Sequence, residues 1–155
     1  MPRNRAVALV IHNNKLLVMH RKNSRDYYTF PGGGVEEGET NEQAAKREIY
    51  EETSIECEIE QLTYQLTYDN GDIHYYFRAR YIFGDPKVLP GTNEYKENEL
   101  GLNLYLPEWI PMDELQDITL YPPEVKNRLL QDHTSGFSSE VIHFDLEVPE
   151  QYRKR

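Results

Sequence analysis

The sequence is short of most features that would place a chain in a membrane or outside a cell. It has one cysteine, Cys57, so no internal disulfide can form. No apolar run approaches the roughly 20 residues that a membrane-spanning helix needs. Met1-Pro2-Arg3-Asn4-Arg5 leads into a short apolar run without a small-residue cleavage site, so no secretory leader is expected. Together these predict a cytoplasmic protein with no membrane attachment. Positive charge is also scarce, with 17 Lys and Arg against 27 Asp and Glu and a net charge of -10. That balance excludes broad nucleic-acid binding, which needs a basic surface. A small anionic ligand remains compatible if positive charge is supplied locally. Arg3, Arg5, Arg21, Lys22 and Arg25 lie in the N-terminal part, although each alone reads as solvated surface.

What is present is a globular composition: 38% hydrophobic and 28% charged residues over 155 positions. This length suits one domain with a real core, expected over 1–155. Val7 to Ile11 reads as a buried strand, and Leu16 to Met19 as its return after a turn at His12 to Lys15. Tyr27 to Phe30 is short and aromatic and ends at Pro31. Leu62 to Tyr68 and Ile73 to Phe83 flank Asp69-Asn70-Gly71-Asp72, a strong hairpin signal. In the second of these strands Tyr75, Phe77, Ala79, Tyr81 and Phe83 alternate with mostly polar neighbours and predict one core face. Gly84 to Leu102 reads as a long acidic loop. A short strand is expected at Trp109 to Pro111, one helical turn at Met112 to Leu115, and a helix over Glu124 to Leu130 started by Pro122-Pro123. Ile142, Phe144, Leu146 and Val148 alternate with polar residues and predict a last strand. That strand either extends the sheet or pairs across a homodimer.

The richest segment is Arg47-Glu48-Ile49-Tyr50-Glu51-Glu52. Thr40 and Gln43 fit a capping box that opens a helix from about residue 41 to Thr53. Ala45 and Ile49 mark its buried stripe. At about 100° per residue, Glu52 lies about 20° from Ala45, Glu48 about 60° and Glu51 about 120°, all on one side. Three carboxylates crowded beside a packed face repel one another. A divalent cation would relieve that repulsion, and an oxygen-only donor set suits Mg²⁺ or Mn²⁺.

From Gly33 the order runs five residues to Glu39, seven more, then Arg47-Glu48-Ile49-Tyr50-Glu51-Glu52-Thr53-Ser54-Ile55. This resembles the signature of the Nudix hydrolases at every fixed position but one. The family carries glycine where this chain has Ser54. The resemblance implies an α/β fold, the Nudix fold, with a mixed β-sheet sandwiched between α-helices. It implies a pyrophosphohydrolase acting on phosphorus-containing acid anhydrides, whose substrate is a small nucleoside diphosphate linked to another group. By resemblance Glu48, Glu51 and Glu52 are the metal ligands, and Arg47 orients a glutamate instead of touching substrate. Gly33 would let the backbone bend where a side chain would strain it. Glu39 would fix Arg47 or the loop. Ser54 would occupy the left-handed position after the helix end, at a cost of about 1 kcal/mol.

The proton acceptor for the attacking water is expected either on the helix, as Glu52 or Glu48, or in the later acidic loop. There Glu94, Glu97 and Glu99 are the choices, with Glu97 the one selected. Tyr28 and Phe30 are candidate substrate contacts, by stacking on a base, with core packing as the alternative; Arg21 is a third. Pro31 to Gly34 lacks the Gly-Lys-Ser/Thr ending of a phosphate loop. The five histidines show no ligand spacing, and Cys57 reads as an inert strand thiol. The alternative function is a Nudix-like module that binds a nucleotide without cleaving it, and a metal-dependent isomerase is a third.

Overall fold

The computed structural model of the protein describes residues 2–101 and 103–150. Its centre is a mixed, curled sheet. The strands are β1 (Asn4–His12), β2 (Lys15–Lys22), β3 (Asp26–Thr29), β4 (Gly32–Gly34), β5 (Glu56–Tyr68), β6 (Ile73–Phe83), β7 (Leu104–Pro111), β8 (Leu120–Tyr121) and β9 (Ile142–Leu146). The order across the sheet is β8-β3-β2-β1-β6-β5-β9, with β4 added on β1 and β7 on β2. The pairs β1/β6, β5/β9 and β3/β8 are parallel and the others antiparallel. Helices α1 (Asn41–Thr53), α2 (Asn93–Leu100) and α3 (Pro123–Ser135) complete the structure, with a 3₁₀ segment at Met112–Asp117.

Strand alternation explains the layering. Ala6, Ala8 and Val10 of β1 pack with Ala44, Ala45 and Ile49 of α1 and with Ile55, Cys57, Phe77 and Ala79. Val7 and Leu9, pointing the opposite way, join Tyr64, Leu66, Tyr76 and the α3 residues Val125 and Leu129. α1 and α3 therefore cover opposite faces, and the sheet lies between helices as the resemblance implied.

The hairpin of β1 and β2, the β5–β6 hairpin and the capping box of α1 stand where the sequence predicts them. Five expectations need correction, the first being β7, which begins at Leu104 instead of Trp109. The 84–102 stretch is not all loop, because α2 occupies its second half. Thr92 caps that helix by accepting from Tyr95 N–H at 3.1 Å, and Gly101 ends it at φ 71°. Its residues are nearly all polar, so no apolar periodicity announced it. β5 begins at Glu56, not Leu62, and shifts register three times along β6. β6 is covered on both faces at its centre: Tyr76 is buried opposite Phe77 and Ala79, whereas Phe83 at the strand end is 69% exposed. α3 runs on to Ser135. β9 pairs with β5 of the same chain, which decides the alternative in favour of sheet extension.

A buried charge bridges α3 and the sheet. Asp132 accepts from Tyr64 Oη at 2.6 Å and from Arg128 Nε at 2.9 and 3.1 Å. A carboxylate this deep is tolerable only with such partners. Cys57 is buried, and burial pushes its thiol up to about 11, in keeping with an inert side chain. Among the described residues no helix is long and apolar enough to cross a membrane.

Candidate active site

α1 brings the signature residues to one place because its start is fixed and its inner stripe is small. Thr40 Oγ1 accepts from Gln43 N–H at 3.1 Å, and Gln43 Oε1 accepts from Thr40 N–H at 2.9 Å. Ala44, Ala45 and Ile49 then press fully buried against the sheet. With that face fixed, Glu48 and Glu52 are directed along the flank toward β4, where Gly33 leaves room for the Glu48 carboxylate.

Glu52 Oε2 accepts the backbone N–H of Gly32 at 2.8 Å. Arg5 donates through Nη2 to the carbonyl of the same glycine at 3.2 Å. The Glu48 carboxylate lies over Gly33, so close that a Cβ on that glycine would collide with it. Arg47 organises the rest. Its Nε and Nη2 donate to the two oxygens of Glu39 at 2.7 and 2.9 Å. Its Nη1 donates to Glu48 at 2.8 Å and to Glu51 at 3.2 Å, and Nη2 also reaches the Gly34 carbonyl at 3.0 Å. Glu39 in turn accepts from Glu36 N–H at 3.0 Å, closing the turn before the helix. Arg47 thus contacts three carboxylates and the loop.

The electrostatics follow from this crowding. Burial, then the charge of Glu48, pushes Glu52 up to about 8, against the opposing Gly32 N–H and Arg5. Glu48 is also raised, chiefly by burial, with Arg47 pulling the other way. Glu39 is lowered to about 2 by the Arg47 hydrogen bonds. As the side chains lie, Arg47 and Gly32 occupy the carboxylates, and among the described residues no three acidic or imidazole groups converge closely enough to hold a metal ion. The fit to a hard cation therefore rests on the oxygen donor chemistry of Glu48, Glu51 and Glu52 and on the closeness of Glu48 to Glu52, which helps to hold a proton on Glu52. Both are consistent with Mg²⁺ or Mn²⁺.

The remaining predicted residues divide into separate groups. Arg21 stacks on Tyr105, its guanidinium carbon 4.0 Å from the ring centre, and its Nε is buried without a hydrogen-bond partner. Burial, then a hydrogen bond with Glu97, raises Tyr105, and the other carboxylate oxygen of Glu97, Oε2, is buried without a partner. Glu94, one turn earlier on α2, lies near enough for its charge to act on Glu52. Glu99 faces an open depression of ≈ 530 Å³ beside α2 and β7, which also takes in Tyr95, Tyr105 and Glu108. That depression excludes Glu48 and Glu52. Tyr28 lies nearly parallel to His20, with ring centres 4.2 Å apart. Phe30 points into the core against Tyr76, so for this residue the packing alternative holds.

The sequence names Arg5 only as one of five basic residues, Arg3, Arg5, Arg21, Lys22 and Arg25, each of which alone reads as solvated surface. Only pairing of β1 with β4 and β6 sets Arg5 beside Gly32 and His74, and its charge acts on Glu48 and Glu52. Burial, then Arg5, lowers His74 to about 4.

Comparison with known proteins agrees with this arrangement. A family model described as the NUDIX domain matches residues 2–130. A putative nudix hydrolase of Caenorhabditis elegans is 34% identical over 91 residues, covering 55% of this chain and 25% of that protein. The dihydroneopterin triphosphate diphosphatase of Escherichia coli K12 is 45% identical over 49 residues, 32% of this chain and 33% of its own length. The chain thus spans only a quarter to a third of these curated relatives. A crystal structure of a NUDIX hydrolase from Nitrosomonas europaea shares the fold, with a TM-score of 0.72 at 21% identity over 95% of this chain and 80% of that one. With the family model matching most of the sequence, and α1 carrying the signature in the geometry just described, this chain belongs to the Nudix family.

Proposed function

We propose that the protein hydrolyses the pyrophosphate bond of a nucleoside diphosphate linked to another group, with Mg²⁺ or Mn²⁺ as the ion. The observation that carries this reading is the arrangement of Glu48 and Glu52 against Gly33 and Gly32, with Arg47 gripping Glu39, Glu48 and Glu51. Arg47 balances part of this negative charge and a proton on Glu52 another part, and a divalent ion could take the place of that proton. Glu48, Glu51 and Glu52 would hold the ion, which when bound supplies charge neutralisation at the diphosphate and lowers the pKa of water.

The rest falls to the chain itself. Arg5 places a fixed positive charge beside the glutamates, where an anionic substrate must approach a protein of net charge -10. Arg21, stacked on Tyr105, offers a second. A glutamate of α2 is suited to take the proton from the attacking water. Glu97 is the residue chosen from the sequence, and Glu94, on the same helix, is the alternative. The printed names of relatives differ in the group attached to the phosphates: a dihydroneopterin triphosphate diphosphatase of Escherichia coli and an RNA pyrophosphohydrolase of Psychromonas ingrahamii. The shared chemistry is the anhydride bond.

A panel of nucleoside triphosphates, nucleotide sugars, ADP-ribose and dinucleotides, assayed with Mg²⁺ and resolved by product, tests the proposal. Release of a nucleoside monophosphate supports it. Binding without turnover would make the protein a sensor. A product with an unchanged phosphate count would make it an isomerase.

A further inference from the structure

Ser54 stands where the Nudix signature carries glycine, and the structure shows what the serine does. The residue caps α1 in the left-handed region, at φ 65° and ψ 8°. Any side chain there is strained, and glycine would relieve it. The serine side chain is nevertheless used: Oγ donates to the carbonyl of Lys87 at 2.8 Å. One residue back, the Thr53 carbonyl accepts from Lys87 N–H at 2.9 Å. Lys87 is thus held on both its backbone polar groups by consecutive residues of the helix exit. Gly84 fits against the same exit, since a Cβ there would stand 2.6 Å from the Ser54 carbonyl oxygen. Tyr81 Oη donates to the Gly84 carbonyl at 2.8 Å and fixes the segment from the strand side.

This attachment lies at the root of the segment that carries α2. The far end of α2 is tied as well: Asn98 donates to the Tyr105 carbonyl at 2.9 Å and accepts from Tyr105 N–H at 2.7 Å. Between these two anchors α2 has hardly any apolar side to pack, so its placement rests on the ties at its two ends. We propose that Ser54 is a positioning residue, which clamps the 84–87 segment to the end of the signature helix and so sets the glutamates of α2 relative to those of α1. The role in turnover rests on the hydrolase reading above. The role as a clamp does not.

Ser54→Gly separates this from a merely structural role, because it removes the hydroxyl and the backbone strain together. Ser54→Ala removes the hydroxyl and keeps the strain. In the full chain, the glycine variant is expected to melt no lower than the parent, while amides over residues 85–101 exchange about fivefold faster or more. Its kcat should fall about fivefold with KM within about twofold. The alanine variant should show the same exchange and kcat but a lower Tm. If Ser54 served stability alone, turnover would follow Tm and the glycine variant would match the parent. Parental exchange over 85–101 in Ser54→Gly, or parental kcat, overturns the proposal. A parent chain inert toward every anhydride would defeat the hydrolase reading, and the exchange measurement would then decide the clamp alone.

Discussion

Arg47 grips Glu39 with two parallel hydrogen bonds, Nε to Oε2 at 2.7 Å and Nη2 to Oε1 at 2.9 Å, while its third nitrogen serves Glu48 and Glu51. Only a planar guanidinium offers that fork. Arg47→Lys keeps the charge and loses the geometry. Turnover should fall about 10- to 100-fold with the fold intact by circular dichroism. Activity within twofold of the parent would mean that the fork positions nothing that matters.

Glu52→Gln should reduce turnover by about two orders of magnitude or more if this side chain binds the ion. The amide oxygen can still accept from Gly32 N–H, so the local structure survives. Stability should not suffer. Glu52 is raised in the folded state to about 8, so between the ordinary carboxylate value of 4.5 and about 8 the unfolded chain ionises more readily and the metal-free fold is weakened as pH rises. Gln removes that term. A thermal melt at pH 8 without metal should place the variant at or above the parent.

The same sign governs cation binding. In the range below about 8 the ion must displace a proton from Glu52. Apparent Mg²⁺ affinity, read by calorimetry, should rise by up to about tenfold per pH unit through the neutral range and level off above pH 8. An affinity flat from mildly acidic to mildly alkaline buffer would contradict the raised carboxyl.

Gly32 and Gly33 should fail differently when given a side chain. A Cβ at Gly32 meets the Ala6 carbonyl oxygen at 2.5 Å, and backbone cannot step aside. Gly32→Ala should therefore destabilise by roughly 2–4 kcal/mol in denaturant melts. At Gly33 the obstacle is the movable Glu48 side chain. Gly33→Ala should keep most of the stability and lose most of the turnover.

Asp132→Ala leaves the Tyr64 hydroxyl and the Arg128 guanidinium without their shared acceptor. The expected cost is about 2–3 kcal/mol in urea unfolding, with kcat unchanged per folded molecule.

Much of this structure was legible because its signals are local. The capping box, the Asn-Gly turn and the alternation of β9 each depend on a few neighbouring residues, and each appears where expected. The spacing of Glu48, Glu51 and Glu52 on a helix with Ala45 and Ile49 inside could be read from angles alone. What was not legible depends on pairing between distant strands. Arg5 becomes part of the site only because β1 meets β4 and β6. α2 was hidden because a short, charged helix held at its ends carries no apolar rhythm. Phe30 and Tyr28 illustrate a third case: two aromatics two residues apart against one core cluster, of which Phe30 is buried on Tyr76 while Tyr28 is only partly covered and also stacks on His20.

The strand β9 lies beyond residues 2–130, the stretch shared with the family model, yet it borders β5 from Tyr64 to Tyr68 and sets Phe144 edge-on to Tyr64. A chain ended after α3, at Ser135, would keep Asp132 but bare a row of free amides and carbonyls along β5. Such a border recruits other extended chains, so the trimmed protein should come out of solution well before its centre melts.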